Sequence, residues 1–331
     1  MTNIYDVAKK SGYSITTVSK ILNNYPNVSV KAKQRVMETV EELGYIPNSS
    51  ARTLASNKSN MIGVVFAEHL GIGMAHPFFG EVIEGFRKQV ELYNYDLLFV
   101  SRTIESNKNY HEHLRRRGVD GIVVVSMFAD DKESKVFKAS DIPAVFIDMN
   151  EKDTNSVYSD NFSGGIQAVN HFYENGHRKI AHISGNNAVF PAGERTRGFR
   201  AGMEKCQLPI KEGYIVDGGY FSYEGGRVAM MKLLSLSEMP TAVFVSGDEM
   251  AFGAIKAIKE AGLRVPEDIS VIGFDDISLA DHVEPPLTTI RQDKRLIGQQ
   301  SAVLLLDEIN GVSKDHHTKV IPVRLVKRRS G

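Results

Sequence analysis

The chain has one cysteine, Cys206, in 331 residues, so no internal disulfide can form. That scarcity fits a reducing compartment and a buried structural role for the thiol. No run of about 18 apolar residues occurs, so no membrane-spanning helix is expected. The amino terminus, MTNIYDVAKK, runs straight into an amphipathic helix without the apolar core of a signal peptide, which points to the cytoplasm. Signatures of catalysis are missing too. There is no GxSxG elbow, no HExxH and no phosphate loop. GIGMAH (71–76) begins like a dinucleotide fingerprint but ends on His76 where glycine is needed, so it reads as a loop. The pairs His111/His113 and His316/His317 lack metal-ligand spacing on a helix face. No Ser–His or Cys–His pairing marks a nucleophile. An enzyme is therefore not expected, nor a metal or cofactor.

Net charge is absent as a total, with 40 Lys and Arg against 40 Asp and Glu, but not as a pattern. Residues 1–59 carry eight basic side chains and only four acids. A basic head on an acidic body suits a polyanionic partner at one end only. The same head carries the clearest local pattern. In NIYDVAKKSGYSITTVSKILNN (3–24), Ile4, Val7 and Ala8 fall at i, i+3, i+4, giving a first helix one apolar face. Gly12 allows a tight bend. Ser14 then suits an N-cap, and Val18, Ile21 and Leu22 repeat the helical spacing. Ile15, Thr16, Ser19 and Lys20 occupy the opposite face, small or basic groups that fit a major groove. This is the geometry of a helix-turn-helix.

A third helix is predicted from about Val30 to Leu43, capped by Ser29, with Ala32, Val36, Val40 and Leu43 inward and Gly44 at its end. Pro47 interrupts, and residues 48–56 are expected to form a short helix that is marginal without a partner. From Met61 the pattern changes. Short apolar runs at 61–66, 96–101, 121–126, 144–148, 179–185, 241–247 and 270–276 alternate with helical segments. Such β-branched runs read as buried parallel strands, enough for two doubly wound halves. The fold class is thus α/β: an all-α head and a two-lobed body of parallel sheets. The expected divisions are 1–47 for the head and 48–60 for a hinge helix and linker. One lobe takes 61–160 with 291–331, the other 161–290.

Taken together, IYDVAKKSGYSITTVSKILNN, LGYIPNSSARTLAS, NGHRKIAHISG, PTAVFVSGDEMAFGAI, GLRVPEDISVIGFDD and PPLTTIRQD resemble the LacI/GalR family of bacterial transcription regulators over essentially the whole chain. The resemblance implies a homodimer that binds a pseudo-palindromic DNA operator, with a periplasmic-binding-protein-like body and a small effector between its lobes. It implies that Ile15, Thr16 and Lys20 read bases and that Thr17 and Ser19 contact phosphates. Thr2, Tyr5, Ser14 and Asn23 complete the implied DNA surface, and Leu54 would wedge into the minor groove. The chain ends at VRLVKRRSG without a leucine-heptad tail, so a dimer rather than a tetramer is expected.

For the effector, the resemblance implies Phe78 and Phe79 at the cleft mouth, Asp148 at a strand end, the clamping Arg195, and Phe221 opposite. Asp248 and Asp275 complete the set. Aspartates with an arginine fork and aromatic rings read as a polyol pocket. Helix capping is an equal alternative for Asp248, and a salt bridge across the cleft is the alternative for Arg195. Purine-binding members carry polar groups just before that arginine, where this chain has Val189, Phe190 and Pro191. A sugar or sugar phosphate is therefore the expected effector, and control by a phosphorylated carrier protein the alternative.

Overall fold

In a computed structural model, residues 2–22, 25, 27–45, 58–66, 76–100, 110–125, 132–150, 153–312 and 315–331 are described. The chain divides into two compact units, 1–60 with 118–120, and 61–117 with 121–331. In the first unit α1 (Ile4–Ser11), α2 (Ile15–Leu22) and α3 (Val30–Leu43) surround a small core of Val7, Ala8, Val18, Ile21, Ala32 and Val36. The Ser29 cap and the glycine ends are those the sequence announces, and the cap of α1 is one it did not. Asn3 and Asp6 form a reciprocal capping box on α1, and Ser29 accepts from the Ala32 amide at 3.2 Å. Gly12 and Gly44 end α1 and α3 with φ of 79° and 57°. The expected helix at 48–56 lies outside the described residues. At the end of the linker, Asp120 accepts from the Ser59 and Asn60 amides at 2.9 and 2.8 Å.

The second unit holds two six-stranded sheets. β1 (Met61–Phe66), β2 (Asp96–Val100), β3 (Gly121–Val125), β4 (Ala144–Ile147), β5 (Asn155–Ser159) and β11 (Thr318–Ile321) form the first, all parallel, in the order β11-β5-β4-β3-β1-β2. β6 (Ile180–Ser184), β7 (Ile215–Asp217), β8 (Ala242–Val245), β9 (Ser270–Asp275), β10 (Thr288–Gln292) and β12 (Val323–Val326) form the second, in the order β12-β10-β9-β8-β6-β7. There β12 runs antiparallel to β10, an edge strand of a kind that parallel sheets often carry. Along the first lobe lie α4 (Pro77–Glu91), α5 (Tyr110–Arg117), α6 (Lys132–Lys138) and α11 (Lys294–Ile309). The second carries α7 (Asn161–Glu174), α8 (Phe190–Lys205), α9 (Tyr223–Leu234) and α10 (Asp248–Glu260).

The division between lobes differs from the expected one. The chain crosses three times: after β5, between β10 and α11, and between β11 and β12. Residues 288–292 lie wholly in the second sheet, and so does the tail from Val323, which the sequence placed in the first lobe. Pro322 marks the last crossing, where a residue without an N–H cannot continue a ladder. Helix pairs pack closely because glycines face backbone. A Cβ on Gly253 of α10 would lie 1.9 Å from the Tyr223 carbonyl of α9, and one on Gly298 of α11 would lie 1.9 Å from the Val82 carbonyl of α4. Among the described residues no helix is long and apolar enough to cross a membrane.

Candidate functional site

The head presents α2 as a two-faced rod. Val18 and Ile21 are buried, whereas Ile15 is 40% exposed and Thr16 and Lys20 project from the same outer side. Ile15 therefore does not fill the small core, although it is apolar. The Ser14 hydroxyl accepts from the Thr17 amide at 3.1 Å and lies 2.9 Å from the Thr17 hydroxyl, so the start of the helix is held rigid. Tyr5 stands exposed on α1, and the Thr2 hydroxyl donates to the Leu43 carbonyl at 3.3 Å. Ser19 is half-buried. Asn23 and Leu54 lie outside the described residues.

In the second unit the carboxyl ends of β4 and β9 meet the start of α8 around a small cavity. Open α/β sheets bind ligands at such strand ends. Both strands end on aspartates held in left-handed backbone: Asp148 at φ 58° and Asp275 at φ 117°. Positive φ is uncommon outside glycine and persists where the surroundings hold it. Asp148 and Asp275 line the cavity with Arg195. Phe78, Phe79 and Phe221 supply apolar walls, joined by His76, Val189 and Pro191. Its free volume is about 30 Å³, room for a water molecule or so.

Arg195 organises the site. It is 3% exposed, donates to Asn161 Oδ1 at 2.8 Å and to the Ser246 carbonyl at 2.5 Å, and lies 3.8 Å from Asp275 Oδ1. Its guanidinium also stacks 3.7 Å from the centre of the Phe274 ring. Burial pulls the pKa of this arginine down, and the charges of Asp275, Asp148 and Asp248 pull it back up. Asp275 has a further partner, Gln292, whose amide donates to Oδ1 at 2.6 Å. Asp148 is left differently. Its Oδ1 is buried with no hydrogen-bond partner, and burial pushes its pKa up to about 7 against the opposing pull of Arg195.

Asp248 is not part of this lining. Its Oδ1 accepts from the Thr289 hydroxyl at 2.6 Å and its Oδ2 from the Ile277 amide at 2.9 Å, so both oxygens tie α10 to the β9 exit and to β10. Nor does its side chain cap α10, whose N-cap is Gly247 with no side-chain cap bond. Burial and the nearby Asp275 charge raise its pKa well above the ordinary carboxylate range.

Residues 3–48 match the bacterial regulatory proteins of the lacI family, and residues 169–331 match the periplasmic binding protein-like domain. The chain is 37% identical over 336 residues to the HTH-type transcriptional repressor PurR of Edwardsiella ictaluri, covering 100% of this chain and 97% of that one. The chain belongs to the LacI family. The crystal structure of the Lac repressor dimer bound to operator and the anti-inducer ONPF superposes with a TM-score of 0.86 at 31% identity, over 99% of this chain and 98% of that one. A LacI family regulator from Enterococcus faecium with bound ribose gives a TM-score of 0.71 at 32% identity, over 82% and 98%.

As a LacI-family member the protein is a transcriptional repressor with a helix-turn-helix DNA-binding head, and not an enzyme. Four residues near the cavity escape sequence reasoning. His76, set aside as a failed glycine motif, caps α4 by accepting the Phe78 amide on Nδ1 at 3.3 Å and lines the cavity. Asn161, Ser246 and Gln292 hold Arg195 and Asp275 from two of the three lobe crossings and the end of β8. Their only sequence signal is a polar residue just beyond an apolar run or at a helix start. The remaining histidines stay outside the site: His111 pairs with Ser140 at 2.6 Å. Cys206 is half-buried against the core of the second lobe, where full burial is expected from the sequence.

Proposed function

We propose that the protein is a homodimeric repressor whose heads read the two halves of a pseudo-palindromic operator and whose cavity takes a small carbohydrate. Two-fold symmetry of the protein requires matching symmetry in the DNA. Exposed Ile15, Thr16 and Lys20 on the outer face of α2 serve as base contacts, with Thr2, Tyr5, Thr17 and Ser19 toward phosphates. Ser14 contributes through the cap that sets the helix start. Lys20→Ala is expected to weaken binding to an operator selected from a pseudo-palindromic library by about 1–3 kcal/mol, a loss of roughly 5- to 150-fold in a gel shift. Equal affinity of wild type and variant for that operator would remove Lys20 from base reading.

One observation carries the effector assignment: Asp148 holds a buried oxygen without a partner, across an aromatic-walled space from Arg195. A ligand hydroxyl would satisfy that oxygen, while ring carbons lie against Phe78, Phe79 and Phe221. The wall before Arg195, Val189 and Pro191, offers no side-chain polar group to a heterocycle edge. The ribose-bound relative supports the same class. Thermal-shift screening of the full chain against pentoses, hexoses, their phosphates and purines tests the reading. A stabilising sugar that Asp148→Ala abolishes is the expected result. Stabilisation by purines alone overturns it, as does operator binding that responds only to a phosphorylated carrier protein.

A further inference from the structure

A second and larger groove, of about 900 Å³, lies where two of the three lobe crossings come together. Its walls come from the β9 exit at Asp276, the β10–α11 crossing at 291–296 and the β11–β12 crossing at 321–324, with Glu81 and Arg328 at its sides. Five cations line it: Arg291, Lys294, Arg295, Arg324 and Arg328. Its carboxylates are already engaged. Asp276 pairs with Arg291 and with Arg328, the latter at 2.7 Å, and Asp281 pairs with Arg328 at 3.0 Å. Glu81 lies 3.4 Å from Lys294, and Asp293 accepts the Leu296 amide at 3.0 Å as the cap of α11.

Two arginines are left with little or nothing. Arg324 is exposed and pairs with no carboxylate among the described residues. The side chain of Arg295 is 69% exposed, and its nearest carboxylate, 3.9 Å away, is the Glu81 already held by Lys294. The strand register sharpens the imbalance, because Arg324 of β12 sits directly opposite Arg291 of β10. Like charges directly opposite one another across an antiparallel ladder are destabilising, and Asp276 offsets only the Arg291 side. The groove is also of the size that small-molecule sites occupy.

We propose that this groove is a second ligand site, separate from the effector cavity, for a small phosphate-bearing molecule. Arg324, Arg291 and Arg295 are its anion contacts. Guanidinium forks match phosphate oxygens in pairs, which an ammonium does not. Such an anion joins β10 and β12 of the second lobe to the first turn of α11 in the first lobe. Gln292 lines the groove and donates to Asp275 of the cavity, so occupancy of one site reaches the other. Any coupling between the two is reciprocal.

Calorimetric titration of the full chain with inorganic pyrophosphate, in phosphate-free buffer, tests the proposal. Wild type is expected to bind, whereas the double variant R295Q/R324Q binds at least about tenfold more weakly. Both substituted residues are exposed, so the double variant should melt with the wild type. Equal binding by the double variant, or absence of binding at millimolar pyrophosphate, overturns the assignment.

Discussion

Arg195→Met is expected to destabilise the folded protein by about 3–5 kcal/mol near pH 8, the range found when one partner of a buried ion pair is removed. The side chain is 3% exposed and serves three neighbours at once: Asn161 Oδ1, the Ser246 carbonyl and the Asp275 carboxylate. Methionine fills much of the volume against Phe274 but donates nothing, so an amide oxygen and a carbonyl are stranded in a dry interior. The penalty depends on pH in a definite direction. Arg195 pulls the Asp148 pKa down against burial, so its loss lets that pKa climb further. At pH 5 Asp148 is then neutral and costs little, while at pH 8 a larger share must ionise or stay protonated against the solvent. The difference in urea midpoint between wild type and variant should therefore widen from pH 5 to pH 8. A loss under about 1 kcal/mol that is the same at both pH values would show that Arg195 does not hold the carboxylates.

Arg195 also shows where sequence reading succeeds and where it stops. The head was legible almost residue by residue because its signals are local. Spacing at i, i+3, i+4 and caps at Ser14, Ser29, Gly12 and Gly44 act within one helical turn. The apolar strands of the body were legible for the same reason. β5, β11 and β12 were not, since NSVYS, TKVI and VRLV are short and partly polar and gain their pairing from distant strands. That is why the third crossing at Pro322 went unseen. Among the cavity residues, the family motif placed Phe78, Phe79, Asp148, Arg195, Phe221 and Asp275 around one space. It did not reveal that Asp248 turns away. The partners of that carboxylate, Ile277 and Thr289, lie 29 and 41 positions along the chain, and no periodicity reports a contact at that range.

Asp148→Asn is expected to stabilise the ligand-free protein increasingly as pH rises. The Asp148 pKa stands at about 7 in the folded chain against 3.8 when unperturbed, with burial as the main cause. Between those values the folded state holds a proton that the unfolded state has released, so stability falls as pH climbs through the interval. His182 works in the opposite sense. It is fully buried between Phe199 and Phe244, and burial lowers its pKa from 6.5 to about 3. There the unfolded state binds the extra proton, and stability rises with pH from about 3 to 6.5. The two slopes oppose each other across mildly acidic pH, so the wild-type curve alone shows neither. Subtracting it from that of Asp148→Asn isolates the carboxyl. One pKa unit corresponds to about 1.4 kcal/mol, so the advantage of the variant should grow by about 2–3 kcal/mol between pH 5 and pH 7 and then level off. An asparagine amide left without a partner would shift the whole difference by a constant but would not tilt it. Urea denaturation of both proteins across that interval measures the tilt, and parallel curves would mean that Asp148 titrates as an ordinary surface carboxylate.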